Sequence, residues 1–305
     1  MPSTTATSTE TYPGPWRTSL LAACLVLLAA CGSGGGGSSR SDDVPLTPNS
    51  GTNQTSTTGT AAAPVTPPEE EPALTRIKVL ALVSAGVAEQ FDQPDLRIDH
   101  LFHTANAVLA DNAVDLAFDV VHMELVDYPD SHNVASALDD VTFAAHPSFA
   151  GVHQLRDEVA ADLVTLFRPY ANDGRCGYAW VGGYQTEGDF SHPSQADYGY
   201  AVVAANCDDY TLLHELGHNL GLAHSRREDP EGGTYAYAVG HGQEGAFVTI
   251  MASPTEFSAP KLPRLSSPEA MCQGAPCGVP HSDPADGADA VRALSLAKDQ
   301  VAAYR

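Results

Sequence analysis

Apolar and polar positions form regular patterns only after residue 74, and these patterns predict strands interleaved with helices. A β-branched and apolar run over residues 77–83 predicts a strand buried on both faces, and residues 114–123 predict a second strand. Apolar positions at helical spacing predict helices over residues 97–110 and 149–168. Further along, we predict strands over residues 178–182 and 198–205 and then a helix that is capped by Asp208 or Asp209. This alternation predicts an α/β (α+β) fold with helices packed on a mixed sheet.

The first 74 residues lack this pattern and predict an exported chain with a linker. Residues 1–31 have the features of a signal peptide: Arg17 precedes an apolar run over residues 20–30, which is shorter than the roughly twenty residues of a membrane span. The run ends at Cys31 in a pattern that resembles a bacterial lipobox, whose cysteine is acylated; a plain signal peptide is the alternative. Residues 32–74 include 26 Gly, Ser, Thr or Pro. This composition predicts a flexible linker, with an inhibitory pro-segment as the alternative.

Charge narrows the range of partners. The chain has 38 acidic and 15 basic side chains, a formal charge of -23. Such a surface repels phosphate backbones and anionic lipids, which argues against nucleic-acid binding and against electrostatic membrane docking. Cationic or neutral partners remain open. We expect membrane attachment only through a lipid on Cys31, and we expect a monomer.

The predicted helix after Asp208 carries a metal-binding pattern, HELGHNLGLAH, that begins at His214. His214 and His218 lie one turn apart on one helical face, so both imidazoles can reach one ion. Glu215 is rotated from His214 by about 100° at the helical period. It can therefore reach a metal-activated water without binding the metal, and it is the predicted general base.

His224 can join the other two histidines only if the helix ends before it. Gly221 has no Cβ and can adopt a left-handed conformation, which would end the helix and return His224 to the ion. Three neutral imidazoles leave one coordination position for water, as in catalytic rather than structural zinc sites. The pattern therefore predicts one catalytic Zn2+ held by His214, His218 and His224.

This extended motif resembles that of the metzincin metallopeptidases, in particular the bacterial reprolysin-like enzymes and their peptidyl-Asp metallopeptidase group. The sequence TIMAS around Met251 is similar to the Met-turn of these enzymes. The resemblance implies a mixed twisted sheet, an active-site helix ending at a glycine turn, and a C-terminal subdomain with the Met-turn and a final helix over residues 288–304. It also implies that Met251 forms an apolar floor under the ligands. Two departures leave the subfamily open: Ser225 stands where reprolysins usually carry Asp, and Ser253 stands where some metzincins carry Tyr.

The resemblance further implies a zinc-dependent endopeptidase that binds an extended peptide antiparallel to an edge strand, for which residues 198–205 are the candidate. The side chain after the cut would enter a pocket walled by the Met-turn and residues 252–266. Lys261 and Arg264 are candidates to favour an acidic side chain there, with two solvated surface charges as the alternative. The alternative function is a catalytically silent adhesion or metal-binding lipoprotein on the same scaffold, which would not need Glu215.

Four cysteines follow the signal, and an exported chain would hold them oxidised. We favour Cys176 with Cys207 and Cys272 with Cys277, although sequence alone allows three pairings. No CxxC spacing supports a zinc-binding role for them.

Three aspartates near the C terminus, Asp283, Asp286 and Asp289, raise the question of calcium. Their spacing does not match an EF-hand loop, and capping of the last helix is the better explanation. The predicted organisation is therefore a signal peptide (1–31), a linker (32–74) and a catalytic domain (75–305), located in a bacterial cell envelope or secreted.

Overall fold

The computed structural model describes residues 74–305. The predicted signal peptide with Cys31, and the predicted linker up to residue 73, lie outside the described residues. Within the described part, no helix combines the length and the apolar character that crossing a membrane requires.

A five-stranded mixed sheet forms the centre of the fold. Its strands are β1 (Thr75–Ser84), β2 (Leu116–Val126), β3 (Leu163–Arg168), β4 (Gly177–Ala179) and β5 (Tyr200–Ala204). They lie in the order β2-β1-β3-β5-β4, with four parallel strands and β4 antiparallel to β5. The predicted mixed sheet is confirmed, and the short antiparallel β4 is one of its two edges.

Within residues 74–305, eight α-helices surround the sheet or follow it. They are α1 (Ala85–Gln90), α2 (Pro94–Asp111), α3 (Val134–Thr142), α4 (Val152–Glu158), α5 (Ser194–Asp197), α6 (Thr211–Asn219), α7 (Pro254–Phe257) and α8 (Ala290–Val301). Short strands in the C-terminal part are β6 (Ala223–Ser225), β7 (Val239–Gly240), β8 (Gly242–Gln243), β9 (Phe247–Val248), β10 (Met271–Cys272) and β11 (Ala275–Pro276). A 3-10 turn covers Pro147–Phe149.

Two hydrophobic cores lie on opposite faces of the sheet because successive strand side chains alternate in direction. Val79 of β1 belongs to the core that packs against α2, α6 and α8, whereas its neighbour Leu80 belongs to the core that packs against α3 and α4. Both residues are fully buried. Because β1 is central, its continuous apolar run is explained by burial on both faces.

The cap predicted at Asp208 or Asp209 is wrong: α6 begins at Thr211 with Tyr210 at its N-cap position, because Asp208 instead accepts from the Tyr210 N–H in the turn before the helix. Several other predicted elements are confirmed with shifted ends. The helix predicted over residues 97–110 lies within α2, which begins with Pro94 in its first turn, a position where the missing N–H of proline costs nothing. The strand predicted over residues 114–123 is β2, and the strand predicted over 178–182 corresponds to the shorter β4. The final helix expected over residues 288–304 is α8, whose N-cap Asp289 accepts a hydrogen bond from the Arg292 backbone N–H.

The helix predicted over residues 149–168 is wrong. Helix α4 ends at Glu158, Ala160 adopts a left-handed conformation with φ of 50°, and Leu163–Arg168 forms β3. All six residues of β3 are buried. A central parallel strand of this kind has a continuous apolar run, which periodicity cannot distinguish from a buried helix.

The predicted substrate strand is also wrong. Residues 198–205 include β5, which lies between β3 and β4 and pairs with both. The edge is β4, because this short antiparallel strand adds outside β5. The free edge next to α6 therefore belongs to residues 177–179.

Candidate metal centre and catalytic cleft

Helix α6 is held firmly between the sheet and the C-terminal part of the chain. Its apolar side chains Leu213 and Leu216 are buried in the core below the sheet. At its end, the Asn219 side-chain amide donates hydrogen bonds to the carbonyls of Trp180 and Tyr200, each at 3.0 Å. The face of α6 that carries His214 and His218 is thus held in a fixed position beside β4.

A glycine turn ends α6, as the motif predicts. Gly221 has φ of 88°, which a residue with a Cβ rarely adopts. Its N–H donates to the His218 carbonyl at 2.8 Å, and the Leu222 N–H donates to the Gly217 carbonyl at 2.9 Å. This pair of bonds is a Schellman motif, and it satisfies carbonyls at the helix end while reversing the chain towards His224.

The three predicted histidine ligands come together. One ligand nitrogen from each of His214, His218 and His224 lies within 4.8 Å of the others. The Nε2 atoms of His214 and His218 are 3.2 Å apart. Among residues 74–305, these three histidines form the group of potential ligand side chains that could hold one metal ion.

The hydrogen bonds of the Nδ1 atoms determine which nitrogen of each ring can face the ion. Every Nδ1 of the three rings has an oxygen neighbour: Ile250 O for His214 at 2.9 Å, Leu222 O for His218 at 2.8 Å, and Asp229 Oδ2 for His224 at 2.9 Å. Carbonyl oxygens only accept, so Nδ1 of His214 and His218 donates and Nε2 of each neutral ring carries a lone pair.

Two lone pairs that face each other need a cation between them. A tetrahedral zinc ion with Zn–N bonds of about 2.0–2.1 Å separates its nitrogen ligands by about 3.3 Å. The observed Nε2 separation of 3.2 Å matches this geometry. Burial lowers the pKa of His214 well below its usual value and lowers the pKa of His218 to about 4, so both rings are neutral and able to ligate. The residues therefore fit a zinc ion.

Asp229 supports His224, a role that the sequence pattern did not predict. The carboxylate oxygen Oδ2 of Asp229 accepts a hydrogen bond from the His224 backbone N–H at 2.9 Å. The same oxygen lies 2.9 Å from the His224 ring atom Nδ1. Such carboxylate partners fix the orientation of a ligating ring. Ser225, which stands where reprolysins usually carry Asp, donates a hydrogen bond from Oγ to Glu228 Oε2 at 3.1 Å. The sequence signal was only an acidic residue five positions after the third histidine.

The side chain of Glu215 extends from α6 to the edge strand β4. It is 5% exposed, and burial raises its pKa to about 8 while the positive charge of Lys261 opposes that rise. A Cβ built on Gly177 of β4 would lie 2.4 Å from Glu215 Oε1 and 2.6 Å from its Cγ. The carboxyl group therefore occupies space that only a glycine at position 177 leaves free, a feature the sequence analysis also missed.

The segment around Met251 lies beneath the ligands. Met251 is 1% exposed, and a Cβ built on Gly217 of α6 would lie 3.0 Å from its Sδ. The preceding carbonyl, of Ile250, is the partner of His214 Nδ1. The predicted apolar floor and a hydrogen-bond acceptor for one ligand thus come from adjacent residues.

The two predicted pocket residues, Lys261 and Arg264, contact different parts of the fold. The Lys261 side chain is 18% exposed, and its Nζ lies 3.6 Å from Asp208 Oδ2 at the start of α6. Arg264 instead donates from Nη1 to the Asp111 carbonyl at the end of α2, at 3.3 Å. Only Lys261 is close enough to the metal centre to affect the pKa of Glu215.

Both predicted disulfides are confirmed. Cys176 pairs with Cys207, and Cys272 pairs with Cys277. The first disulfide joins the start of β4 to the loop before α6, so it connects the edge strand with the helix that carries the ligands. Among the C-terminal aspartates, Asp289 caps α8, and Asp283 accepts from the backbone N–H groups of Ala285 and Asp286.

Comparisons with known proteins identify the family to which the chain belongs. A family model described as "Metallo-peptidase family M12B Reprolysin-like" matches residues 85–281. A protein of Pseudomonas aeruginosa named peptidyl-Asp metalloendopeptidase is 34% identical over 232 residues, which cover 69% of this chain and 37% of that protein. A protein of the same name from Stenotrophomonas maltophilia is 27% identical over 240 residues, covering 77% of this chain and 53% of that protein.

A solved structure titled "Structure of a chaperone-substrate complex" is similar in fold. Its TM-score is 0.58 at 19% identity, and the match covers 76% of this chain and 36% of that chain. The likeness supports the fold alone. This chain therefore spans between about a third and about half of the length of the proteins it matches here.

Proposed function

The chain belongs to the M12B reprolysin-like metallopeptidase family, and from that premise we propose that it is a zinc-dependent endopeptidase that hydrolyses internal peptide bonds of proteins. The observation that carries the proposal is the convergence of three imidazole nitrogens beside the buried carboxyl group of Glu215. Burying a carboxyl group is costly, and a site that only bound a metal ion would not need one there.

The histidines, Glu215 and the groups that orient the rings have different roles in hydrolysis. His214, His218 and His224 would hold the zinc ion, which would supply a Lewis acid for the scissile carbonyl and for the attacking water. The positive charge of a bound ion would oppose the rise in the Glu215 pKa, so that the ionised Glu215 accepts a proton from the water and then delivers it to the amine of the leaving fragment. Asp229 and the Ile250 carbonyl keep the rings oriented, so that the three Nε2 atoms stay directed at one point.

The edge strand β4 offers a place for an extended peptide. On its inner side β4 pairs with β5, and its other side has no strand partner among the described residues. A peptide can add there as a further strand through backbone hydrogen bonds. Because Gly177 of β4 lies directly against Glu215, a peptide on this edge would pass close to the general base.

The names of the relatives extend the proposal to the cleavage site. The similar proteins from Pseudomonas aeruginosa and Stenotrophomonas maltophilia are named peptidyl-Asp metalloendopeptidases. We therefore include cleavage beside aspartate in the proposed function of this chain.

An exported, monomeric enzyme is the proposed form. Two disulfides are typical of proteins outside the reducing cytosol. Attachment through acylated Cys31 is tested by comparing the wild-type chain with Cys31→Ser in membrane and soluble fractions of a bacterial host. Release of the variant alone supports a lipid anchor, whereas release of both proteins supports a plain signal peptide.

The enzymatic proposal is tested by digestion of casein with and without a zinc chelator. We expect chelation to abolish cleavage and restored zinc to recover it. Glu215→Ala should retain zinc but lose activity, whereas Glu89→Ala, which removes an exposed glutamate of α1, should behave as wild type. Absence of wild-type cleavage with one zinc bound, or full activity of Glu215→Ala, would contradict the proposal.

A further inference from the structure

The backbone of β4 determines which of its groups can bind a peptide. The Ala204 N–H donates to the Cys176 carbonyl at 2.7 Å, so the backbone polar groups of Cys176 face β5. In an antiparallel strand the N–H and C=O of one residue point to the same side, and this side alternates along the strand. The N–H and C=O of Gly177 and Ala179 therefore face away from β5, where a peptide can add to this edge.

Residues of this edge alternate between the two faces of the sheet, since successive strand side chains point in opposite directions. Gly177 faces Glu215 of α6. Trp180, which directly follows β4, lies on the other face. There its Nε1–H donates to Thr142 Oγ1 of α3 at 2.9 Å, and its ring packs against the core beside α3 and α4. The indole ring is therefore on the face of the sheet away from the general base.

Trp180 forms an aromatic cluster with Phe143 and Tyr198. The ring centroids of Trp180 and Tyr198 are 5.3 Å apart, and the Phe143 centroid lies 6.2 Å from each of them. All three pairs have the edge-to-face arrangement that aromatic rings favour. Phe143 is nevertheless 54% exposed and Tyr198 is 41% exposed. Apolar side chains that are exposed as a group, rather than singly, indicate a binding surface.

The aromatic cluster is connected to the helix that carries two of the metal ligands. The Trp180 carbonyl accepts a hydrogen bond from the Asn219 side-chain amide at the end of α6, at 3.0 Å. Two residues after Trp180, the Gly182 N–H donates to the His218 carbonyl at 2.9 Å. These bonds fix the position of Trp180 relative to the metal centre.

A peptide on the β4 edge brings one of its side chains to this cluster. In antiparallel pairing, which is the more stable arrangement per residue, the part of the peptide before the scissile bond lies beside Ala179 and Trp180. The peptide residue opposite Trp180 shares its face of the sheet, and the two form a pair without mutual hydrogen bonds, in which side chains are closest. Gly177 lies against Glu215 and therefore marks the position of the scissile bond. With either residue of that bond opposite Gly177, the residue opposite Trp180 is the third or fourth before the cut.

We propose that Phe143, Trp180 and Tyr198 form a subsite that selects a large apolar side chain at the third or fourth residue before the scissile bond. This inference rests on the proposed endopeptidase function, and it adds a substrate preference on the amino-terminal side of the cut. The occupant is a segment of the substrate itself, because the cluster continues the edge along which that segment pairs. A phenylalanine or leucine side chain there removes apolar surface of the rings from water, whereas serine or aspartate does not.

The test uses one peptide series with Phe, Leu, Ser or Asp at the third residue before the cut and a second series with the same residues at the fourth. Mass spectrometry of the products confirms that every peptide is cut at the same bond. For wild type we expect kcat/KM to be about tenfold higher for Phe and Leu than for Ser in one series, the gain from burying about half of such a side chain. Ratios near one in both series would overturn the inference.

Substitutions assign the preference to the aromatic cluster. Phe143→Ser and Tyr198→Ser remove exposed rings, so each should lower the Phe-over-Ser ratio by about threefold, and the double variant should have a ratio close to one. Tyr198→Phe retains the ring and should retain the ratio. The matched control is Leu296→Ser, which removes an exposed apolar side chain of α8 and should also retain the ratio. All variants should cut the Ser peptide at the wild-type rate, because its side chain gains nothing from the rings.

Failure of this inference is distinguishable from failure of the proposed function. A zinc-loaded wild type that cuts none of the peptides and no casein contradicts the function itself. A wild type that prefers Phe, with the same ratio in the Phe143→Ser/Tyr198→Ser double variant, contradicts only the role of the aromatic cluster. Zinc content and thermal midpoint measured for each variant show whether it is folded, and the two single variants keep the result independent of either one.

Discussion

Gly177→Ala is the substitution that most specifically probes the position of Glu215. It adds one methyl group on β4, keeps the backbone N–H for strand pairing, and changes no charge. The added Cβ would lie 2.4 Å from Glu215 Oε1 and 2.6 Å from both Cδ and Cγ. Ordinary carbon–carbon contacts are about 3.5–4.0 Å, so the Glu215 side chain must move by about 1 Å.

The size of the expected effect follows from this displacement. Catalytic groups misplaced by about 1 Å can lower rates by about 100-fold. We expect kcat/KM on a fluorogenic peptide to fall by about this factor, mainly through kcat, because the peptide still pairs with β4. Zinc content and thermal midpoint should remain close to wild type, since neither the histidines nor the core changes.

Two controls separate a displaced base from a general loss of structure. Gly151→Ala, at the start of α4, adds a methyl group with nothing within 4 Å and should leave the rate unchanged. In a Glu215→Ala background, Gly177→Ala should alter the residual rate by no more than about twofold, because the two substitutions act on one group. Full activity of Gly177→Ala would refute the reasoning. A further loss of about 100-fold in the double variant relative to Glu215→Ala would also refute it.

Two further predictions concern the ligands. Asp229→Asn weakens the acceptor that holds His224, so zinc affinity measured by competition with a chelator should fall by about 10- to 100-fold, and wild-type affinity would argue against this support. Gly221→Val forces a branched side chain into a turn with φ of 88° and places its Cβ 2.6 Å from Thr234 Cγ2. It should reduce the metal content per folded molecule, whereas full zinc occupancy would contradict the role of the glycine turn.

The metal-binding helix could be predicted because its chemistry is local in sequence. His214 and His218 are separated by one helical turn, and Gly221 carries the signal for the helix end, so three residues define most of the arrangement. The positions of Asp229 and Gly177 could not be predicted in this way. Gly177 depends on which strand packs against the motif in three dimensions. Asp229 is only five residues after His224, but its contact depends on the turn that follows β6, which an acidic residue alone does not predict.

The strands of the sheet could likewise be predicted only in part from local sequence. A first strand buried on both faces could be predicted from its apolar run, and this prediction is confirmed in β1. The same kind of run in β3 was assigned to a helix, because burial on both faces removes the alternation that identifies a strand. The edge position of β4 follows from strand order, which depends on contacts between distant segments and not on local sequence.

The central claim is that His214, His218 and His224 together hold one zinc ion. X-ray absorption spectroscopy of the zinc-loaded protein, combined with metal analysis, tests it most directly. We predict one zinc per chain with three imidazole nitrogens at about 2.0–2.1 Å, and loss of one of these nitrogens in His224→Ala. A wild-type spectrum with fewer than three histidine ligands, or an unchanged spectrum in His224→Ala, would contradict the claim.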